Sequence, residues 1–229
     1  LFAMNCVRDL GIPLKKGVRL IFGTDEENGS QDMELYAKHE KFPPNVFTPD
    51  GSFPVINVEK GMMRSFFSGR YEGGIVRCLR GGSIPNAVPD KAYAEVFAPL
   101  REVKAAIDAD NSGAQFTAEF IDGCVHITAD GRSAHASTPE SGINAITALI
   151  TLINRLANYD SQADMLRGLE RIFPCGETDG ASVGLKAEDR TGATTLVFSV
   201  FEMADGECRG TVDVRFPTCL DLAVVEEKE

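Results

Sequence analysis

The sequence predicts two fold classes in series: an α/β layer with a largely parallel sheet over residues 1–60, then an α+β domain with antiparallel hairpins over residues 61–229. Three observations predict this. The first stretch alternates helix-like segments with short apolar runs, the pattern of a parallel α/β layer. The second carries two Asp-Gly pairs, Asp122-Gly123 and Asp205-Gly206, each flanked by strand-like runs, a strong short-range hairpin signal. The composition, 43% hydrophobic and 25% charged over 229 residues, suits a soluble globular protein with a sizeable core and excludes disorder, collagen and coiled coil.

The elements follow in order. Leu1–Leu10 reads as a helix already under way, ended by Gly11 and kept from continuing by Pro13. Val18–Phe22 is a short apolar run suited to a buried strand. Ser30 is placed to cap a helix running to His39. After Pro43 and Pro44, Phe53–Val58 is the second strand expected. The pattern changes near Glu59–Gly61, after which Met62–Phe67 and Ile75–Leu79 read as strands. Lys91–Ile107 reads as a helix kinked or broken at Pro99. Gln115–Ile121 and Cys124–Ala129 form the first hairpin, and Thr194–Met203 with Glu207–Phe216 the second. Between them, Ile143, Ile146, Ile150, Ile153 and Leu156 mark an amphipathic helix over Pro139–Ala157. Asp221–Glu229 looks like a helix that has just begun, so both ends cut through elements and a piece of a longer protein is expected.

Charge and cysteine usage narrow the partners. A net charge of −11 repels phosphate, so neither nucleic acid nor an anionic membrane is expected as a partner. No apolar run approaches the roughly 20 residues that span a bilayer. The six cysteines show no Cys-x-x-Cys spacing and read as reduced cytoplasmic thiols filling core space. Dinucleotide-binding, P-loop, His-Glu-x-x-His and Gly-x-Ser-x-Gly motifs do not occur.

The richest stretch for chemistry is Phe22-Gly-Thr-Asp-Glu-Glu-Asn-Gly29. Asp25, Glu26 and Glu27 follow the carboxyl end of an expected strand, where α/β sheets bind ligands. Adjacent carboxylates repel, so a cation or shared proton is needed to hold them together. One can bind a metal while its neighbour takes a proton from metal-bound water. The same residues also read as a solvated acidic loop favouring the start of the next helix. Asp50, in Pro49-Asp-Gly51, is a turn signal that offers a second carboxylate. Of the three histidines, His39 reads as a surface residue and His126 as structural, on the strand face opposite Val125 and Ile127. His135 sits among small residues in Gly131–Pro139, where an imidazole can reach a ligand. Alternation gives Thr211, Asp213 and Arg215 one common face.

Together these segments resemble a known family. Leu20–Ser30 resembles the central motif of the dinuclear-zinc aminoacylase, carboxypeptidase and dipeptidase superfamily. Phe47–Gly61 resembles its bacterial Xaa-His, carnosinase-like dipeptidase branch. Gly131–Pro139 and Thr211–Pro217 resemble two motifs of that family's lid domain. The resemblance implies that residues 1–60 are part of a metallopeptidase catalytic domain and that 61–229 are the lid. It implies two zinc ions in the full-length parent, with cobalt or manganese as alternatives, and a dipeptide substrate. Glu26 matches the general base, Glu27 and Asp50 metal ligands, and His135 the histidine that hydrogen-bonds the oxyanion. Arg215 matches the clamp on the substrate carboxylate, and Asn86 a second oxyanion contact. The family's His-x-Asp, bridging Asp and downstream His are missing, so this chain alone is expected to be inactive. A non-catalytic interaction or dimerisation module is the other reading, and the oligomeric state is left open.

Overall fold

The computed structural model describes residues 1–26, 29–50, 54–156 and 161–227, which fall into two units, Leu1–Val55 and Ile56–Glu229. In the first unit, α1 (Phe2–Asp9) ends as its sequence requires. Gly11 takes φ +63°, its N–H donates to the Arg8 carbonyl, and the N–H of Ile12 donates to the Val7 carbonyl. That pair of bonds satisfies the helix's last carbonyls, and a residue without Cβ adopts the left-handed turn at least cost. The second helix, α2 (Gln31–His39), starts differently from expectation. Ser30 has a left-handed backbone (φ 56°) and its side chain makes no capping bond. The Asp25 carboxylate instead accepts from the N–H of Gln31 at 3.0 Å.

Neither strand expected in this part forms among the described residues: Val18–Phe22 and 54–58 are irregular. Val18, Phe22 and Val55 stay 58–86% exposed. A strand exists only by pairing, and no described segment offers these runs a ladder. The parallel sheet foreseen for residues 1–60 is therefore not seen.

The second unit is a seven-stranded sheet in which every neighbouring pair is antiparallel. Its strands are β1 (Gly61–Arg70), β2 (Val76–Gly81), β4 (Lys91–Val96), β5 (Gln115–Ile121), β6 (Cys124–Asp130), β10 (Thr195–Ala204) and β11 (Glu207–Phe216). They lie in the order β1-β11-β10-β2-β4-β6-β5. Two short ribbons accompany the sheet: β3 (Ala87–Val88) with β7 (Ala134–His135), and β8 (Glu188–Asp189) with β9 (Gly192–Ala193). Both Asp-Gly pairs make the hairpin turns expected. Asp122 and Gly123 have φ 48° and 89°, and Asp205 and Gly206 have φ 52° and 82°. Two consecutive positive φ values match the right-handed twist of the strands they join.

Residues 91–96 are strand β4, not the first half of a helix. Ala92, Ala94 and Val96 are buried while Lys91, Tyr93 and Glu95 are less so, a period of two. Alanine's helix preference is overridden because β2 and β6 flank this segment and pair with it on both sides. The helix starts only after Pro99, as α3 (Leu100–Asp108). Likewise the long helix begins not at Pro139 but at Ala145. It is α4 (Ala145–Asn154), where the Asn144 side chain accepts from the N–H groups of Ile146 and Thr147. Pro139–Ser141 is a separate 3-10 turn.

Helices α3, α4, α5 (Ser161–Ile172) and α6 (Leu222–Glu227) contribute to one core with the strands. Eight of the ten α4 residues are buried, and α4 crosses β2, β4, β6 and β10. An irregularity at Ser199 shifts β10 by one residue. Leu196 and Phe198 before it, and Phe201 and Met203 after it, then all face the core. All six cysteines are free; Cys124 and Cys208 are buried, but Cys6 and Cys219 are exposed, so core filling accounts for only some of them. No helix among the described residues is long and apolar enough to cross a membrane.

Candidate functional site

In the acidic loop and the first turn of the helix after it, two aspartates are used by the backbone. Asp25 caps α2, and the Asp32 carboxylate accepts from the N–H groups of Thr24 and Met33. The Thr24 bond is the main reason the Asp32 carboxyl is held below its ordinary range. Glu26 and Asp50 are exposed. Glu27 lies outside the described residues, as do 51–53, so the expected convergence of Glu27 and Asp50 does too. Among the described residues, the one group of three metal-ligating side chains within mutual reach is Glu95, Cys124 and His126, and it includes none of the expected ligands.

In the second unit the structure draws three of the sequence's candidates toward one region. Ala87 pairs with His135 across the β3–β7 ribbon, and the N–H of Ala136 donates to the Asn86 carbonyl at 2.9 Å. Asn86 and His135 therefore stand on adjacent backbones. The ribbon is pinned to the sheet by the Thr195 hydroxyl, which donates to the Ala136 carbonyl at 2.8 Å, and by a small cluster of Val88, Ala136 and Val197. Thr195 pairs directly with Arg215 on β11, so the anchor of the ribbon sits beside the arginine. Gly131 makes the loop entry possible: a Cβ there would run into the Ile143 carbonyl, which Arg132 N–H meets at 3.0 Å.

Each side chain is set in a defined state. The N–H of Ser137 donates to His135 Nδ1 at 3.2 Å, and the Ser137 hydroxyl lies 2.7 Å from the same nitrogen. A backbone amide can only donate, so Nδ1 is an acceptor and the imidazole proton sits on Nε2. His135 is exposed and thus presents an N–H donor. Arg215 donates from Nε and Nη2 to the two oxygens of Asp213, at 2.7 and 3.3 Å. Asp213 is fully buried, and Arg64 approaches its Oδ2, the oxygen that also accepts from Arg215 Nη2, at 3.6 Å. A bidentate pair fixes the plane of the guanidinium and uses only one of its edges. The Nη1 edge remains, and two guanidinium groups against one carboxylate leave net positive charge for an anion.

The expected common face of Thr211, Asp213 and Arg215 is present: β1 sets Phe66, Arg64 and Met62 opposite them in register. The ribbon contact through Thr195 could not be read from sequence, because it joins residues 59 apart. Asp213 was legible only as a neighbour of Arg215 on that face. A cleft of about 180 Å³ lies nearby, lined by Val88, Pro139, Asn144, Cys175 and Val197 among others, but by none of the expected site residues.

Residues 123–228 match the family model described as a peptidase dimerisation domain. The chain is 28% identical over 237 aligned residues to the putative dipeptidase YtjP of Bacillus subtilis, covering 99% of this chain and 51% of that protein. It is 29% identical over 178 residues to the Beta-Ala-Xaa dipeptidase of Lactobacillus delbrueckii, covering 75% and 38%. A putative dipeptidase of Staphylococcus aureus is 26% identical over 233 residues, covering 94% and 49%. The chain spans about half the length of the curated relatives it matches, or less. The matched domain and the run of dipeptidase-named relatives bear out the resemblance to the peptidase superfamily named above.

Proposed function

We propose that this chain is the lid, with part of the catalytic domain, of a metal-dependent dipeptidase that acts in the cytoplasm. The observation that carries the reading is the shared anchor at Thr195, which ties the Asn86–His135 ribbon to the strand position facing Arg215. A hydrolysed peptide bond passes through a tetrahedral intermediate with a developing oxyanion, which preorganised N–H donors stabilise. His135 Nε2–H is such a donor, and Asn86 stands beside it. Arg215 offers its free edge to the terminal carboxylate that distinguishes a dipeptide from a longer chain's interior.

Zinc fits this chain only in part. Glu26 and Asp50 are exposed carboxylates, and neither joins a group of three ligating side chains among the described residues. Tight zinc sites mix histidine or thiolate with carboxylate. In the whole protein we assign Glu26 as base and Glu27 and Asp50 as metal ligands. The residues present do not complete two zinc sites, so this chain by itself is expected not to turn over dipeptides with added zinc, cobalt or manganese.

The test is made in the full-length protein. Arg215→Ala raises KM for dipeptides with a free C-terminus far more than for C-terminally amidated ones, and Arg215→Lys recovers part of the loss. Equal effects on both substrates would remove the clamp.

A second reading, an interaction module, has its own observation. β1 is an edge strand of ten residues, and Met62 and Phe66 on its helix-free face are 53% and 74% exposed. Unpaired edges are templates for pairing with another chain. Sedimentation of the chain distinguishes the readings: a stable dimer weakened by Phe66→Glu supports the module, and a monomer does not.

A further inference from the structure

The face of the sheet turned away from the helices carries a second group of reactive side chains, three and four strands from Arg215. Cys124 and His126 alternate with the core residues Val125 and Ile127 on β6, so both side chains leave the same side. His126 pairs directly with Glu95 on β4. One ligand atom from each of Glu95, Cys124 and His126 lies within 4.8 Å of the other two. A tetrahedral zinc ion with bonds of 2.0–2.3 Å holds its ligand atoms roughly 3.3–3.8 Å apart. Rotamer adjustments of about an ångström close that gap.

Tyr93, also on β4, holds two of the three in place. Its hydroxyl donates to Glu95 Oε1 at 2.8 Å and lies 2.7 Å from His126 Nδ1. Since the hydroxyl proton goes to Glu95, its oxygen accepts, and Nδ1 carries the imidazole proton. The lone pair is then on Nε2. A ligating histidine that gives its other N–H to a fixed acceptor is the usual outer arrangement at metal sites. The remaining contacts are weak or movable. Glu95 Oε2 meets Arg77 at 3.3 Å, but the Arg77 side chain is 60% exposed and free to swing aside. The Cys124 thiol donates to the Ile121 carbonyl at 3.6 Å, a bond lost without great cost on ionisation.

We propose that Glu95, Cys124 and His126 bind one thiolate-accepting divalent ion of the zinc class on the outer face of the lid sheet, with the fourth position left to water. A thiolate and a carboxylate neutralise the ion's two charges, and sulfur with imidazole selects zinc over magnesium or calcium. The register sets Glu95 level with Glu207 on β11, three strands across and eight residues along from Arg215, which puts the site roughly 30 Å from that arginine. It is thus separate from the hydrolytic reading, and its failure would leave that reading intact.

Cobalt(II) is the probe. Titrated into the reduced chain, it should bind one per chain with a thiolate-to-cobalt charge-transfer band and tetrahedral ligand-field bands. Cys124→Ser should abolish the charge-transfer band, Glu95→Gln should weaken binding, and Cys78→Ser, one strand away, should change neither. Tyr93→Phe, which removes only the outer hydrogen bonds, should weaken binding about 10–100-fold. Absence of the band in the unmodified chain, its survival in Cys124→Ser, or unchanged affinity in Glu95→Gln would overturn the proposal. Should a variant fail to fold by circular dichroism, nitrogen NMR of the unmodified chain decides instead. Zinc must shift His126 Nε2, and an unmoved resonance overturns the site.

Discussion

In Leu1–Val55 no described residue is buried, whereas Ile56–Glu229 closes over a continuous core in which Phe198, Leu149, Ile127 and their neighbours are almost wholly hidden. The helices of the first unit are finished by bonds within a few residues: the Gly11 turn after α1 and the Asp25 cap before α2. The strands of the second are finished by partners up to about 150 residues away, as when Met62 faces Arg215. Local chemistry alone is enough to end a helix in water. A strand needs its ladder, and Val18–Phe22 shows what an apolar run becomes without one.

The largest effect that tests this contrast is in the core. Phe198 has Phe173, Phe201 and Phe67 with ring centroids 4.6, 5.3 and 5.8 Å away. Phe198→Ala should cost about 3–5 kcal/mol in denaturant unfolding of the sheet. Phe22→Ala, at a side chain 70% exposed, should stay within about 0.5 kcal/mol. Comparable losses would mean that the first unit buries Phe22 in solution.

Next is the buried carboxylate. Asp213 depends on Arg215 and, less closely, on Arg64. Arg215→Ala leaves a buried charge with one distant partner and should cost about 2–3 kcal/mol in thermal or urea unfolding, the cost of an unsatisfied charged group. Arg215→Ala with Asp213→Asn should recover part of that loss. No recovery would mean that Arg215 stabilises by packing rather than by pairing.

The same contrast explains what could be read in advance. Both hairpins and the end of α1 follow from dipeptides and single glycines whose meaning is local. The strand Lys91–Val96 was hidden by its alanines, since only the flanking β2 and β6 make it a strand. Glu95 was therefore out of sight as the partner of His126, and the group of Glu95, Cys124 and His126 with it. Asn86, His135 and Arg215 were legible as residue types within motifs, but not their common anchor, because Thr195 belongs to none of those motifs. Ser30 was misread as a cap because its residue type fits the position while its backbone does not.

That misreading gives a smaller test. Asp25→Ala removes the bond to the Gln31 N–H and should cost about 1 kcal/mol of α2 stability, seen as faster amide exchange in its first turn. Ser30→Ala removes no capping bond and should leave exchange unchanged. A larger effect from Ser30 than from Asp25 would restore the original assignment.

The smallest effect expected lies in the well-packed unit, at a carboxylate held both by bonds from two residues away, like those of α2, and by bonds from residues 29 and 30 positions away. Asp189 accepts from the Thr191 hydroxyl and N–H, from the Thr218 hydroxyl at 2.7 Å and from the Cys219 N–H at 2.9 Å. Thr191 first, then Thr218 and Cys219, holds this carboxyl down to about 2, against an ordinary 3.8. The lowered value means that the unfolded chain takes up the proton before the folded one does. The bonds therefore contribute fully above about pH 4, and the contribution falls away as pH drops through about 2. Since they tie the residues just after β11 to the β8–β9 ribbon, their loss should loosen residues 217–219 without unfolding the sheet. A carboxyl carbon titration should place Asp189 near 2, and Asp189→Asn should speed amide exchange at Cys219 at neutral pH while exchange in β10 and β11 stays slow. An Asp189 that titrates at its ordinary value would show that this corner is open in solution. Matching acceleration across β10 and β11 would instead make it part of the cooperative core, and the line between local and long-range stabilisation would then have to be drawn inside the second unit.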